Sequence, residues 1–295
     1  MDFTTKLRAL VSQVEQGLER YVPPADTRPV LLHQAMRYSL ESGGKRIRPV
    51  IVLAVAELFD PSMGRDPLPA AVALECLHTY SLIHDDLPCM DDDDLRRGRP
   101  TVHKAFDEAT ALLAGDALLT HALGLMVSAY AEDPALAVAL TRDLADAAGS
   151  RRLIGGQVED LAAEGRTDVP AADLEFIHLN KTAALLEASF SLGARIGGAS
   201  DHDRSLLVGV GRDLGLAFQI VDDVLDATAE SATLGKTAGK DAKSGKTTYV
   251  SVFGVEGARL RARAHSDAAR DALRTLPGDI TFLTELVEAL TVRKK

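Results

Sequence analysis

Apolar residues recur along most of the chain at the three- and four-residue spacing of an α-helix, and few segments alternate as strands do. The pattern predicts helices over 28–41, 46–59, 69–86, 108–131, 134–163 and 203–228, and another that begins after Pro170. The segments 69–86, 108–131 and 203–228 are apolar on nearly every face, which is typical of helices buried inside a protein. No linker rich in Pro, Gly or Ser divides the chain. We therefore predict one all-α domain over residues 1–295, a large helical bundle.

The composition narrows the class of protein. The net charge of the chain is −10. A protein that binds nucleic acid or an anionic membrane would present a basic face, so this charge argues against both partners. Two cysteines do not indicate a disulfide framework. The N-terminal sequence lacks the basic start and apolar run of a secretory signal, and we find no uncharged apolar stretch long enough to span a membrane. We expect a cytoplasmic protein with no membrane span and no nucleic-acid partner.

Two acidic clusters stand out, each at the end of a strongly apolar helix. The first acidic cluster, in LIHDDLPCMDDDDLRRGRPT, contains Asp85, Asp86 and Asp91, and the second, in FQIVDDVLD, contains Asp222, Asp223 and Asp226. Either cluster alone is also typical of a solvated helix end. Asp222 and Asp226, however, share one helix face, where like charges repel. Carboxylates beside apolar surface need a positive partner, and Mg²⁺ suits that role because it binds one or two carboxylates together with substrate phosphates.

The spacing within the first acidic cluster requires a bend. Asp85 and Asp91 are six residues apart, which would place them ~240° apart around a straight helix. Pro88 lies between them and cannot donate to the helical hydrogen-bond ladder. We therefore predict that the chain turns after Asp85 and brings Asp91 back towards it.

Basic residues around the clusters indicate a substrate that carries phosphate. Arg96 and Arg97 directly follow the first acidic cluster, and the arginine side chain is well suited to phosphate oxygens. The segment GGKRIRP adds the cations Lys45, Arg46 and Arg48. Lys45 and Arg48 are three residues apart and share a helix face. The alternative for this segment is an ordinary basic helix start.

Single polar residues in the apolar helices point to the same chemistry. His78 lies two turns before Asp85 on the same face, which indicates a phosphate contact, and an ordinary core position is the alternative. Lys181 and Thr182 lie in an otherwise apolar helix, where an unpaired lysine is costly. Gln219 lies one turn before Asp222 on the same face.

The segment LGKTAGKDAKSGKTTY places Lys236 and Lys246 among glycines. It is similar to a P-loop only superficially, because five residues rather than four separate Gly239 and Gly245 and no strand precedes it. We therefore reject a P-loop kinase or NTPase. A cationic lid over phosphates is the prediction. For Lys240 and Lys243, a position in a plain solvated loop is the alternative.

These segments together resemble one family. GGKRIRP, the first acidic cluster with its two arginines, GGQVEDL, KTAALL and FQIVDDVLD occur in the order found in the trans-isoprenyl diphosphate synthases, the polyprenyl synthetase family. The resemblance covers roughly residues 40–250. It implies an all-helical fold of the isoprenoid synthase type around a central cavity, a homodimer and about three Mg²⁺ ions. The four residues between Asp86 and Asp91 resemble bacterial farnesyl and plant-type geranylgeranyl synthases.

The resemblance also implies roles for the matching residues. The metal ligands would be Asp85, Asp86, Asp91, Asp222, Asp223 and Asp226. Isopentenyl diphosphate would be bound by Lys45, Arg48, His78 and Arg97. The allylic diphosphate would be bound by Arg96, Lys181, Gln219, Lys236 and Lys246, and the basic end Arg293-Lys294-Lys295 resembles one that closes over the site. The carbocation formed from the allylic substrate would be stabilised by Lys181, Thr182 and Gln219.

Product length is expected to depend on residues just before Asp85. Ser81 is small and lies one turn earlier on the same face. Tyr80 lies five residues earlier, ~7.5 Å along the helix axis and ~140° around it, so its ring must lean in from the side. In the family, an aromatic residue at this position resembles the floor that stops the product at farnesyl diphosphate. Ordinary core packing is the alternative for Tyr80.

Three other functions stay open. The segment KTAGKD resembles the corresponding segment of geranylgeranyl diphosphate synthases, which make a twenty-carbon product. A class I terpene cyclase would need a single diphosphate site, and the second cationic set argues against it. A non-catalytic subunit of a heteromeric synthase would be expected to lack motif residues, and none is missing.

Overall fold

The computed structural model describes residues 1–166, 169–228 and 247–291, which are mostly helical. Helices α1 to α4 cover Phe3–Tyr21, Val30–Leu40, Ile47–Phe59 and Leu68–Asp85. An antiparallel hairpin of two-residue strands follows, with β1 at Leu95–Arg96 and β2 at Arg99–Pro100. Helices α5 to α8 cover Val102–Ala105, Glu108–Ala129, Pro134–Ala148 and Leu153–Ala163.

The remaining described elements are also helical. They are α9 Ala171–Ile177, a π-helical segment His178–Ala183, α10 Ala184–Ile196, α11 Asp201–Thr228, α12 Tyr249–Leu273 and α13 Thr281–Thr291. The all-α class predicted from the sequence is therefore confirmed. A π-helical turn widens the hydrogen-bonding ring by one residue and often marks a functional position.

One predicted helix is wrong. The segment 134–163 forms two helices, because α7 ends at Ala148 and α8 begins at Leu153. Between them the N–H of Arg152 donates to the carbonyl of Gly149, 3.0 Å away, and closes a turn. Glycine is among the weakest helix formers, which explains the break at this point.

The chain divides into two compact units. The first unit comprises Met1–Leu144 and Arg195–Gly197, and the second comprises Ala145–Ala194 and Gly198–Lys295. The single domain that the sequence predicts over residues 1–295 stays a prediction.

Helix α4 forms the centre of the first unit. It packs against α1, α3 and α6, and its side chains from Pro69 to Leu77 are buried. Helix α3 is equally apolar, with every residue from Pro49 to Ala56 buried. This burial explains why neither helix shows the one-sided apolar pattern of a surface helix. The polar end of α4 is consequently held in place by a rigid apolar body.

Helix α11 organises the second unit by packing against α12 and the π-helical segment. A buried core joins the end of α11 to the start of α12 through Ile220, Val224, Tyr249 and Ala258. Thr248 caps α12. Its hydroxyl accepts from the N–H of Ser251 at 3.2 Å, and the Ser251 hydroxyl accepts from the N–H of Thr248 at 2.9 Å. The core therefore fixes the acidic end of α11.

Within the described residues, one helix is long and apolar enough to cross a membrane by length and composition alone. It is α6, Glu108–Ala129, and 44% of its apolar window is buried inside the protein. The helix packs along α4, which accounts for the apolar residues on its buried side.

Candidate active site

The first acidic cluster lies where α4 ends. The helix stops at Asp85, and the N–H of Asp91 donates to the carbonyl of Asp85 at 2.8 Å. Pro88, which has no N–H to continue the helix, lies within this turn. The predicted bend is confirmed. Asp85 and Asp91 are both half-buried.

Asp86 is bound by Arg96, the residue that the family resemblance assigned to the allylic diphosphate. The Nε of Arg96 donates to both carboxylate oxygens of Asp86 at 2.8 and 2.9 Å, and its Nη2 donates to one of them at 2.6 Å. Burial raises the pKa of Asp86, and the arginine acts in the opposite direction. Such a pair orients both partners, and removing one would leave a buried charge without compensation.

The hairpin turn brings Arg97 onto the GGKRIRP segment. Arg97 and Gly98 have φ angles of 53° and 76°, as the tight turn of a two-residue hairpin requires. The guanidinium of Arg97 donates to the carbonyl of Gly43. It also lies so close to Gly44 that a Cβ there would be 2.7 Å from its Nη1. A larger residue at position 44 would therefore require the guanidinium of Arg97 to move from this position.

Arg46 has a structural position within the same segment. It is buried at the start of α3, where its guanidinium donates to Glu15 and to Glu75 at 2.7 Å each and to the carbonyl of Leu40. The sequence grouped Arg46 with the phosphate-binding cations, but this side chain points into the protein. Lys45, its neighbour, is exposed.

Arg48 and His78 lie together between α3 and α4. The Nη1 of Arg48 is 3.4 Å from the Nε2 of His78, and both residues are half-buried. Burial, followed by the nearby arginine charges, holds the pKa of His78 well below its ordinary value of 6.5. His78 is therefore neutral at physiological pH.

In the second unit, Lys181 pairs with an acidic residue for which the sequence predicted no role. Its Nζ donates to Asp160 at 2.6 Å, and Asp160 is buried in α8. Helix α8 can approach the π-helical segment because residue 156 is glycine, where a Cβ would lie 2.3 Å from the backbone N of Lys181. Both residues, Gly156 and Asp160, belong to the motif GGQVEDL. The motif was recognisable in the sequence, but it did not show that Asp160 pairs with Lys181.

Helix α11 approaches the π-helical segment at Gly215 and helix α10 at Gly211. A Cβ at Gly215 would lie 2.5 Å from the Cβ of Ala183, and one at Gly211 would lie 2.7 Å from the Cα of Glu187. Gln219 is the next residue on this α11 face. The close packing brings Gln219 within reach of the segment that carries Lys181.

A chain of hydrogen bonds follows from that approach. The hydroxyl of Thr182 donates to the amide oxygen of Gln219 at 3.1 Å, and the amide nitrogen of Gln219 donates to Asp223 at 3.2 Å. The other oxygen of Asp223 accepts from the backbone N–H of Tyr249 at 2.9 Å. Asp223 thus binds the first turn of α12, where a negative charge is favoured.

The carboxylates fit Mg²⁺ in pairs. Among the described residues, no group of three or more His, Cys, Asp or Glu side chains could hold a metal ion. Each cluster instead offers half-buried carboxylates, Asp85 and Asp91 in the first and Asp222 and Asp226 in the second. Mg²⁺ binds one or two carboxylates when waters and substrate phosphates complete its coordination, so this donor set suits it.

Two of the predicted substrate ligands, Lys236 and Lys246, lie outside the described residues, as does the basic end 293–295. The described sequence-predicted residues fall into two sets. Those of the first unit are Lys45, Arg48, His78, Tyr80, Ser81, Asp85, Asp86, Asp91, Arg96 and Arg97, and those of the second are Lys181, Thr182, Gln219, Asp222, Asp223 and Asp226.

Comparison with known proteins decides the family. Residues 29–280 match the family described as Polyprenyl synthetase. The chain belongs to the polyprenyl synthetase family. This confirms the resemblance inferred from the motifs.

Relatives within the polyprenyl synthetase family include enzymes named for different product lengths. The chain is 48% identical over 283 residues to heterodimeric geranylgeranyl pyrophosphate synthase large subunit 1, chloroplastic, of Arabidopsis thaliana, which covers 94% of this chain and 76% of that protein. It is 44% identical over 284 residues to farnesyl diphosphate synthase of Geobacillus stearothermophilus, with 94% of each chain covered. A solved FPP/GFPP synthase from Zymomonas mobilis has a TM-score of 0.86 and 37% identity, with 98% of each chain covered.

Membership of the polyprenyl synthetase family supports prenyltransferase activity by trans-prenyl chain elongation, and the family generally uses Mg²⁺. The isoprenoid synthase type of helical fold is confirmed by the solved relative.

Tyr80 and Ser81, the two predicted product-length residues, lie on α4 of this polyprenyl synthetase. Tyr80 is buried, with 5% of its surface exposed, and its ring packs edge-on against His84 with centroids 5.6 Å apart. Burial, together with the charge of Asp85, raises the pKa of Tyr80 to about 12, so the phenol stays protonated. Ser81 is half-buried, and its hydroxyl donates to the carbonyl of His78 at 2.9 Å.

Proposed function

We propose that this chain condenses isopentenyl diphosphate first with dimethylallyl and then with geranyl diphosphate, and that it stops at farnesyl diphosphate. The observation that carries the product length is the position of Tyr80. Its buried, uncharged ring lies on α4 about 7.5 Å before Asp85 along the helix axis. A rigid aromatic ring at this depth would block a prenyl tail of more than fifteen carbons.

In the proposed reaction, the first unit binds isopentenyl diphosphate through Lys45, Arg48, His78 and Arg97. Lys45, Arg48 and Arg97 supply positive charge for the phosphate oxygens. Because His78 is neutral, it contributes a hydrogen bond without adding charge. The contact of Arg97 with Gly43 supports this assignment, since it brings two of the basic segments together.

The second unit is proposed to act on the allylic diphosphate through Lys181, Thr182 and Gln219. Lys181 is oriented by Asp160, and Thr182 and Gln219 are oriented by each other. The hydroxyl and amide oxygens would stabilise the carbocation that forms as the allylic C–O bond breaks. Further contacts to this diphosphate are proposed for Arg96, Lys236 and Lys246.

The remaining steps join the two substrates. The double bond of isopentenyl diphosphate attacks the allylic cation, a C–C bond forms, and a proton then leaves to the released diphosphate. Asp85 and Asp91 would hold Mg²⁺ in the first unit, and Asp222 and Asp226 would hold it in the second. The metal charge would stabilise the negative charge of a diphosphate. Asp86 and Asp223, whose carboxylates accept from Arg96 and from the backbone N–H of Tyr249, are proposed as further metal ligands.

The product length is tested by changing Tyr80. Tyr80→Ala should lengthen the product to twenty carbons or more, because the ring that blocks the tail is gone. Tyr80→Phe keeps the ring and should still give farnesyl diphosphate. A Tyr80→Ala enzyme with an unchanged product would contradict Tyr80 as the floor.

Geranylgeranyl diphosphate synthase is the second candidate. It is favoured by the 48% identity to relatives named as geranylgeranyl pyrophosphate synthases. A wild-type product of twenty carbons from a farnesyl diphosphate starter would establish it. A non-catalytic subunit is the third candidate, and turnover by the purified chain alone would exclude it.

We also propose a cytoplasmic homodimer. Helix α6 leaves Leu112, Leu113 and Val127 about half exposed on its outer side, and exposed apolar residues along one helix are suited to a partner of the same kind. Leu113→Glu should convert a dimer into a monomer in light scattering, while Val138→Glu, at an exposed position on α7, should not. A wild-type monomer at all concentrations would contradict the dimer.

A further inference from the structure

A notch in α6 receives the side chain of His84. Gly115 is buried on α6, and a Cβ built there would lie 2.1 Å from the Nε2 and 2.3 Å from the Cδ2 of His84. Real Cβ atoms do not approach ring atoms this closely. Residue 115 must therefore be glycine for the imidazole to lie where it does.

The imidazole of His84 is fixed in this notch by a hydrogen bond. Its Nε2 lies 3.0 Å from the backbone carbonyl oxygen of Leu112, three residues before Gly115 on α6. A carbonyl oxygen only accepts, so Nε2 carries the proton and donates it. The carboxylate of Asp116 lies farther from the same nitrogen, at 3.9 Å. Both the position and the orientation of the ring are thus set by α6.

Tyr80 packs against the imidazole that α6 holds. The two rings are nearly perpendicular, at 86°, with their centroids 5.6 Å apart, which is a favoured arrangement for an aromatic pair. Tyr80 and His84 are four residues apart on α4, so they share a face. A displaced imidazole would remove the surface against which the Tyr80 ring rests.

We propose that Gly115 and His84 are positioning residues that determine product length by holding the ring of Tyr80 in place. This inference rests on the proposed function, since it assumes that Tyr80 is the floor for a prenyl tail. It gives α6 a part in specificity through the close packing of Gly115 against His84. The effect passes from Gly115 to His84 and then to Tyr80.

The experiment compares product ratios of the full-length enzyme and three variants. Gly115→Ala should push the imidazole out of its notch, and His84→Ala should remove it. In both, the ratio of twenty- to fifteen-carbon product should rise roughly tenfold or more, the scale on which apolar pockets discriminate. Gly209→Ala is the matched control, because Gly209 is a helical glycine with no atom within 4 Å of the position that a Cβ would occupy. It should leave the ratio unchanged.

The outcomes separate this inference from the proposed function. A wild type that makes no fifteen-carbon product defeats the proposed function before any variant is compared. If the wild type makes the fifteen-carbon product and both Gly115→Ala and His84→Ala give the wild-type product ratio, this inference alone is overturned. An equal shift in Gly209→Ala would also overturn it. If Gly115→Ala does not fold, as judged by circular dichroism, His84→Ala decides the question.

Discussion

The guanidinium of Arg46 lies 2.7 Å from the carboxylate of Glu75, and both side chains are buried in the first unit. Glu15 holds a second nitrogen of the same guanidinium at 2.7 Å. This pair ties the start of α3 to the middle of α4. Arg48 lies two residues after Arg46, and His78 lies three after Glu75, so the pair lies directly beside the proposed phosphate contacts.

Breaking that pair should cost stability. Glu75→Ala leaves the Arg46 charge buried with one partner fewer, so we expect the free energy of unfolding to fall by about 3–5 kcal/mol. Urea denaturation measures it. The control is Glu57→Ala, which removes a partly exposed ion pair with Lys6 and should cost at most about 1 kcal/mol. Equal losses in the two variants would contradict the structural role of Glu75.

Gly44→Ala should weaken isopentenyl diphosphate binding. The new Cβ would collide with the guanidinium of Arg97 and push it away from the basic segment. We expect the KM for isopentenyl diphosphate to rise roughly tenfold, which corresponds to the loss of about 1.4 kcal/mol, with a smaller change in the KM for geranyl diphosphate. Gly43→Ala is the matched control, because Gly43 also has a positive φ but has no atom within 4 Å of its Cβ position. Identical effects would show that backbone strain alone is responsible.

Asp160→Asn should lower kcat. The change removes the charge that orients Lys181 but keeps the size of the side chain. Misplaced catalytic groups commonly cost up to about 100-fold, so we expect kcat to fall by roughly 10- to 100-fold with little change in the KM for isopentenyl diphosphate. Asp143→Asn breaks a comparable ion pair with Arg195 and should leave kcat close to the wild-type value. A kcat unaffected by Asp160→Asn would remove Asp160 from the site.

Stability should fall at acidic pH because of His78. Its pKa in the folded protein is well below 6.5, whereas the unfolded chain has the ordinary value. Below pH 6.5 the unfolded chain therefore binds a proton that the folded protein does not, and His78 contributes a loss of up to about 1.4 kcal/mol per pH unit. Urea denaturation at pH 7, 6 and 5 should show a smaller decline in His78→Gln. The same decline in both proteins would contradict the assignment.

Local rules predicted most of the helices and the turn after Asp85. The turn was predictable because Pro88 and the six-residue spacing impose it whatever the rest of the fold. The position of Arg46 was not, because its burial depends on Glu15 and Glu75, which are distant in sequence. In GGKRIRP, residue type alone cannot separate the inward Arg46 from the exposed Lys45.

In the second unit, too, the face that residues share within one helix was predictable from the sequence, whereas contacts between helices were not. The spacing predicted a shared helix face for Gln219 and Asp222, whereas the amide of Gln219 donates to Asp223, the following residue. The pairing of Lys181 with Asp160 requires the close approach at Gly156, which is a tertiary contact. A glycine pair in a helix signals such an approach without naming the partner helix.

Prenyl elongation to fifteen carbons is tested most directly by the products of the purified wild-type chain. The enzyme would be given Mg²⁺, labelled isopentenyl diphosphate and, separately, dimethylallyl, geranyl or farnesyl diphosphate, and the dephosphorylated products would be sized by chromatography. We predict a fifteen-carbon alcohol from the first two starters and little use of farnesyl diphosphate. A twenty-carbon product from all three would contradict Tyr80 as the floor, and no product from any starter would contradict the proposed enzyme.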